Sequence, residues 1–380
     1  MSTMQLTHVV AAAAGSITAG CIAAACIAAA CASPPAHEAS AVPSAPIRSE
    51  GRVVLANRTI APTEGEVRFA AIRQLTAAGQ NAEAYFSRDG RWLTFQSAQL
   101  DYPCDQQYVM RVDGSALRRV SDGRGKTTCG WFFPDGERLF FGSTTAHQDR
   151  CPPKPDASAG YVWPLDPYDI YTANRDGSDT RRITFNDVYT AEGVLSPDGT
   201  RIAYTSLESG DLEIYTMNAD GTDVRRLTHT VGYDGGPWWS PDGTKIVYRA
   251  NHPTDSAGIA QYRSLLNRKL VRPSRVELFM MNADGSDQRQ ITNLGGANFG
   301  PSWTPDGSRI IFSSNFRDPR SGNFDLYMVN EDGSGLEQVT TDSGFDGFPM
   351  FSPDGARLIW ASSRGAAQSG ETNLFVADWK

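Results

Sequence analysis

Residues 196–228 read SPDGTRIAYTSLESGDLEIYTMNADGTDVRRLT. Ser196–Gly199 is a tight-turn signal: Pro presets φ, the Asp side chain caps the local backbone and Gly takes the positive φ. Arg201–Tyr204 and Glu213–Tyr215 mix β-branched and aromatic residues with polar ones, as half-buried strands do. A second turn, Asn218–Gly221, leads into Arg225–Thr228. The same sentence returns around the turns Ser87–Gly90, Phe133–Gly136, Ser240–Gly243, Thr304–Gly307 and Ser352–Gly355. Four strands in a unit of about 45 residues make a β-propeller blade, so the chain is expected to be all-β.

The count closes at six. Strand four occurs at Arg73–Thr76, Arg118–Ser121, Arg181–Thr184, Arg225–Thr228, Arg289–Thr292 and Glu337–Thr340. The first of these has no blade before it, and the last blade, ending in Asn373–Val376, has no strand four after it. Arg73–Thr76 is therefore expected to complete the last blade and leave no edge open. This gives a propeller over residues 71–380, preceded by a linker and lead-in at 32–70 and a signal at 1–31.

Residues 1–37 carry no Lys, Arg, Asp or Glu, and Val9 to Ala32 is Ala-rich and apolar. A Ser/Pro/Ala spacer follows, an order that fits an export signal and a tether. Cys21, Cys26 and Cys31 each follow small residues in a run similar to a bacterial lipoprotein signal, with Cys31 the lipidation candidate. A cleaved secretory signal and an uncleaved membrane anchor are the alternatives. The remaining cysteines, Cys104, Cys129 and Cys151, allow one disulfide and leave one thiol. A net charge of −8 gives no basic footprint for nucleic acid.

Tracing strand directions puts every Pro-Asp-Gly turn on one face and every strand two-to-three loop and blade crossing on the other. Function is expected on the second face, where the variable loops lie. There the loops run from six residues in blade three (207–212) to 25 in blade two (144–168) and 26 in blade four (251–276). Two tall loops around a short one predict a two-walled notch over blade three. The blade-four insert has Ile259, Tyr262, Leu266 and Leu270 at helical spacing, with Arg263 and Arg268 among its basic residues. It reads either as a helix with a solvated basic side or as an anionic-partner contact. Eight residues before each turn Asp stand Asn81, Thr127, Thr190, Asp234, Asn298 and Asp346, with Glu83 and Glu192 two positions further on. This polar ring is a candidate for binding a cation such as Ca2+ or peptide groups at the channel mouth. The competing reading is that each side chain caps its own loop. No other cofactor is expected.

The runs S-P-D-G-x-x-I-x-Y, E-I-Y-x-M-N-A-D-G and R-R-L-T resemble the Pro-Asp propeller repeat of the TolB family over about residues 71–380. TolB proteins are periplasmic, and their propeller binds the lipoprotein Pal at its channel mouth. The α/β domain that precedes the TolB propeller has no counterpart in residues 47–70, which are too few. The resemblance implies an exported, envelope-associated, non-catalytic propeller that binds a protein or peptide, with a Pal-like lipoprotein as one partner candidate. Asp234, Asp346, Asn298, Asn81, Glu83, Glu192, Arg263 and Arg268 are its candidate contacts. The alternative is a carbohydrate-binding or polysaccharide-lyase-type propeller. His147, His229 and His252 fall on the loop face, but no G-x-S-x-G or H-E-x-x-H occurs.

Overall fold

The computed structural model describes residues 53–99, 102–155 and 160–380; the signal and its Cys31 lie outside them. Six antiparallel sheets follow one another along the chain. Blade three shows the pattern: Thr190–Leu195, Arg201–Ser206, Glu213–Asn218 and the short Arg225–Arg226. In the last blade, Asp346–Phe351, Arg357–Ser362 and Asn373–Trp379 are followed in space by Phe69–Ala77. That strand pairs antiparallel with Asn373–Trp379, Arg73 lying opposite Val376. Val54–Ile60, in the stretch read as lead-in, adds a fifth strand outside it. Its alternation was hard to read because most of its side chains are exposed.

Between successive blades lie clusters of buried apolar side chains, one at each of the six junctions. Phe140, Leu195, Ile202 and Tyr204 fill the junction of blades two and three. Leu75, Phe95, Ile359 and Val376 fill that of blades six and one. Because each blade is sandwiched between two others, its middle strands are buried on both sides. Strand two of blade three is buried from Ile202 to Ser206, where alternation had predicted a half-buried strand.

The turns are held as their composition requires. Ser196 Oγ donates to Asp198 Oδ1 at 2.6 Å and accepts from Arg201 N at 2.9 Å, while Gly199 takes φ +77°. Hydrogen bonds from Ser196 and Thr200 hold the Asp198 carboxyl below its usual range.

The expected notch over blade three is bridged. In the blade-four insert, the helix α1 (Ser256–Leu266) is capped by Asp255, which accepts from Gly258 N at 2.8 Å. Beyond it, Leu270–Val271 pairs with Trp163–Pro164 of the blade-two insert, so the two loops meet as an arch. Tyr262 and Leu266 pack beneath it on Leu207 and Leu212 of blade three's short loop. The arch forms because each insert carries apolar residues that its own blade cannot cover. A disulfide between Cys104 and Cys151 ties the blade-two insert to blade one, and Cys129 keeps a free thiol.

Leu75 is fully buried although it precedes the first repeat. Leu75→Ala is expected to cost about 2–5 kcal/mol in chemical denaturation. Val67→Ala, at a site 73% exposed, is expected to stay within about 0.5 kcal/mol of the parent. Equal costs would contradict ring closure through this strand.

Candidate functional site

Strand one of each blade enters from the loop face, with Asn81, Thr127, Thr190, Asp234, Asn298 or Asp346 as its first or second residue. All six are at most 1% exposed. Asn81 Nδ2 donates to Ala78 O at 2.9 Å, and its Oδ1 accepts from Ser97 Oγ at 2.8 Å. Asn298 accepts from Ser314 Oγ at 2.6 Å and donates to Val276 O at 2.9 Å. Asp234 holds His252 at 2.8 Å, and Asp346 accepts from Trp360 Nε1 at 2.9 Å. The expectation that Asn81, Asp234, Asn298 and Asp346 face a partner is therefore corrected. They fasten loops inside the protein, where buried polar groups find their bonds, although Asp234 Oδ2 is left without one.

Two residues further on, every strand one carries a register shift. The residues there are Glu83, Cys129, Glu192, Gly236, Gly300 and Phe348, all with φ between +50° and +59°. Such a bulge suits glycine, and blades four and five use it. A side chain there costs about 1–3 kcal/mol of backbone strain. Four blades bear that cost, and all six positions line one cup of about 1060 Å³ opening on the loop face.

Another two residues down, Tyr85, Trp131 and Trp238 meet with ring centroids 4.8–5.3 Å apart. They form the floor of the cup. Beneath them, a shallower cavity of about 300 Å³ opens among the turn prolines Pro134, Pro197, Pro241, Pro305 and Pro353.

The cup has two unlike halves. In the polar half, the Glu192 carboxylate accepts from the Arg249 guanidinium, from Thr205 Oγ1 at 2.7 Å and from Gly236 N at 2.8 Å. Arg249 Nε also donates to Tyr233 Oη at 2.7 Å. Glu83 is different: its Oε2 is buried with no hydrogen-bond partner. Burial pushes its carboxyl up to about 7, against a hydrogen bond from the Cys129 thiol. That thiol is itself pushed well up, first by burial and then by Glu83 and Glu192, so it stays protonated. In the apolar half, Phe299, Phe324, Phe345 and Phe348 touch one another with centroids 5.2–6.1 Å apart.

Of the sequence candidates, Glu83 and Glu192 reach the cup. Arg263 and Arg268 are exposed on the arch and do not line it. Cys129, Arg249, Trp238 and Phe348 were missed. The offset that picked out Glu83 and Glu192 would have found Cys129 and Phe348, had it been carried around the ring. His147 and His252 are tied to Asp169 and Asp234 in separate blades. Among the described residues no three His, Cys, Asp or Glu side chains gather as a metal-binding group.

Residues 193–263 and 274–379 match the TolB beta propeller domain. A structure described as TolB from Agrobacterium tumefaciens superposes with a TM-score of 0.57 at 19% identity, over 81% of this chain and 93% of that one. TolB from Acinetobacter baumannii gives 0.51 at 16%, over 79% of this chain and 63% of that one, so this chain spans under two thirds of it. A gluconolactonase from Xanthomonas campestris gives 0.55 at 16%, over 88% and 99%. No curated protein sequence matches the chain. At these identities the likeness to solved structures shows the fold.

The raised carboxyl of Glu83 has a measurable sign. Between its ordinary value near 4.5 and about 7, the folded chain holds a proton that the unfolded chain releases, so Glu83 lowers stability as pH rises through that window. Glu83→Gln is expected to melt like the parent at pH 4.5 and to be more stable by about 2 kcal/mol at pH 8. Glu213 and Asp325, also raised to about 7, are common to both proteins and cancel. A difference that does not change with pH would contradict the assignment.

Proposed function

This chain is a TolB-like six-bladed β-propeller, and we propose that it is an exported, envelope-associated protein that binds a protein or peptide partner at the mouth of its cup, without catalysis. The observation that carries the reading is the cup of about 1060 Å³, floored by the touching rings of Tyr85, Trp131 and Trp238 and opening among the loops that vary between blades. A partner docking there must come from the loop face. The arch gives it a raised wall, with Tyr161 76% exposed at its edge.

The compartment has its own support. The Cys104–Cys151 bond is of a kind that persists in oxidising surroundings, as export would provide. The uncharged Ala-rich leader agrees with export, and Cys31 remains the candidate for a lipid anchor. An envelope lipoprotein of the Pal kind is the first partner to test.

The charged groups of the cup suit holding better than attacking. Glu192 is neutralised by Arg249, and the Cys129 thiol stays protonated. One feature favours a second reading. A carboxylic acid poised near neutrality, as in Glu83, is suited to proton transfer, so a carbohydrate-binding or lyase-type enzyme is the runner-up.

Site-specific photo-cross-linking in cells separates the two. A cross-linker in place of Tyr161 is expected to give a discrete protein adduct, and one in place of the turn-face Arg88 none. Adducts from both faces alike, or none from Tyr161 while a uronic-acid oligosaccharide is cleaved by the purified protein, would overturn the binding reading.

A further inference from the structure

The two halves of the cup place unlike demands on whatever fills it. The phenylalanine wall, from Phe299 to Phe348, offers apolar surface. Across the same ring, Glu83 Oε2 is buried without a donor. The Cys129 thiol is a weak donor to this carboxyl and leaves Oε2 unbonded, and a buried carboxylate oxygen left unbonded is costly, so this half of the cup lacks a strong donor. Arg249 does not supply it, because its guanidinium is committed to Glu192 and Tyr233. The touching rings of Tyr85, Trp131 and Trp238 stand between the cup and the turn-face cavity, which suits a polypeptide entering end-first.

We propose that the cup takes the amino-terminal residue of a partner chain, its α-ammonium donating to Glu83 and its apolar side chain lying on the phenylalanine wall. This rests on the binding reading and names the segment bound. An ammonium has three donors and a full charge, which matches a carboxylate whose cationic neighbours in the cup are engaged elsewhere, Arg249 with Glu192 and Lys126 with Asp105 at 3.9 Å. Tyr85 and Trp238 beneath add ring faces that favour a cation over an anion. The groups facing Glu83 are the Cys129 thiol, Tyr85, Tyr168, Glu192, Arg249 and Asp105. A cation arriving there favours the ionised carboxylate and displaces the proton that Glu83 keeps below about pH 7.

The test uses 2-phenylethylamine, which stays protonated throughout, with 2-phenylethanol and phenylacetate as neutral and anionic matches, titrated calorimetrically into the full chain. At pH 8 the amine is expected to bind about tenfold tighter than the alcohol. Its affinity is expected to fall about tenfold by pH 5.5 while that of the alcohol holds. Glu83→Gln should bring amine and alcohol level, and Phe348→Ala should weaken both alike. Should Glu83→Gln fail to fold, the pH dependence of the amine-to-alcohol ratio in the parent decides.

The proposal is overturned by equal binding of amine and alcohol at pH 8, a preference surviving Glu83→Gln, tighter binding of phenylacetate, or no binding of the amine at 10 mM on the order of weak fragment affinities. Tighter binding of Nα-acetyllysinamide than of the amine would also overturn it, in favour of a lysine side chain. An adduct at Tyr161 beside a failed amine titration would sink this inference and leave the binding reading standing. Amine binding without any adduct would do the reverse.

Discussion

One hydroxyl per blade holds the propeller together. The last residue of each Arg-x-Leu-Thr segment accepts the backbone N–H of strand three: Gln107 to Ser121 at 3.0 Å, Ile170 to Thr184 at 2.8 Å and Ile214 to Thr228 at 2.9 Å. Leu278 to Thr292 and Leu326 to Thr340 follow at 2.8 Å, and Leu374 to Thr76 at 2.9 Å. Each such bond nets only about 1 kcal/mol, yet leaving its buried N–H unpaired costs more. Strand four pairs over only two residues in five of the blades, and beyond them the sheet is continued by this side-chain bond together with the backbone N–H of the residue before it, such as Leu227 N to Ile214 O at 2.8 Å. Thr76 is the sixth member of the set although it lies nearly 300 residues from its partner in sequence. The ring is thus fastened at its seam by the same contact that fastens every blade.

That regularity explains what could be read from the sequence. The turns, the blade count and the loop face follow from local chemistry repeated six times. Glu83 and Glu192 emerged because a fixed offset along strand one identifies channel-facing positions. Arg249 could not emerge this way: it sits mid-strand in blade four and becomes part of the cup only when blades three and four pack together. The arch was illegible for a similar reason. Trp163–Pro164 and Leu270–Val271 are two residues each, too short to carry a strand pattern, and their pairing bridges about a hundred residues of chain. The polar ring misled because position on the loop face was taken for exposure; Asp234 and Asp346 lie at that end of the channel but are buried within it.

The cup is built from the same alternation, taken two residues at a time. The outermost layer of side chains fastens loops, the next lines the cup and the third closes it. The lining layer is where the repeat is broken: each blade has the bulge, but no two neighbouring types are shared except the glycines of blades four and five. Strain accepted at Glu83, Cys129, Glu192 and Phe348 marks this layer as the part that is not needed for folding. Conversely, the turn face is uniform, and its Asp and Gly residues are accounted for by the turns themselves.

The claim that the loop-face cup is the working site can be tested through the eight tryptophans of the chain. Trp163 and Trp238 line the cup, whereas Trp92 and Trp379 lie at the turn end of their strands. With 5-fluorotryptophan incorporated, fluorine resonances would be followed while soluble envelope extract is added. Shifts confined to Trp163 and Trp238 are the expected result. Shifts at Trp92 and Trp379 with the cup resonances unmoved would contradict the account.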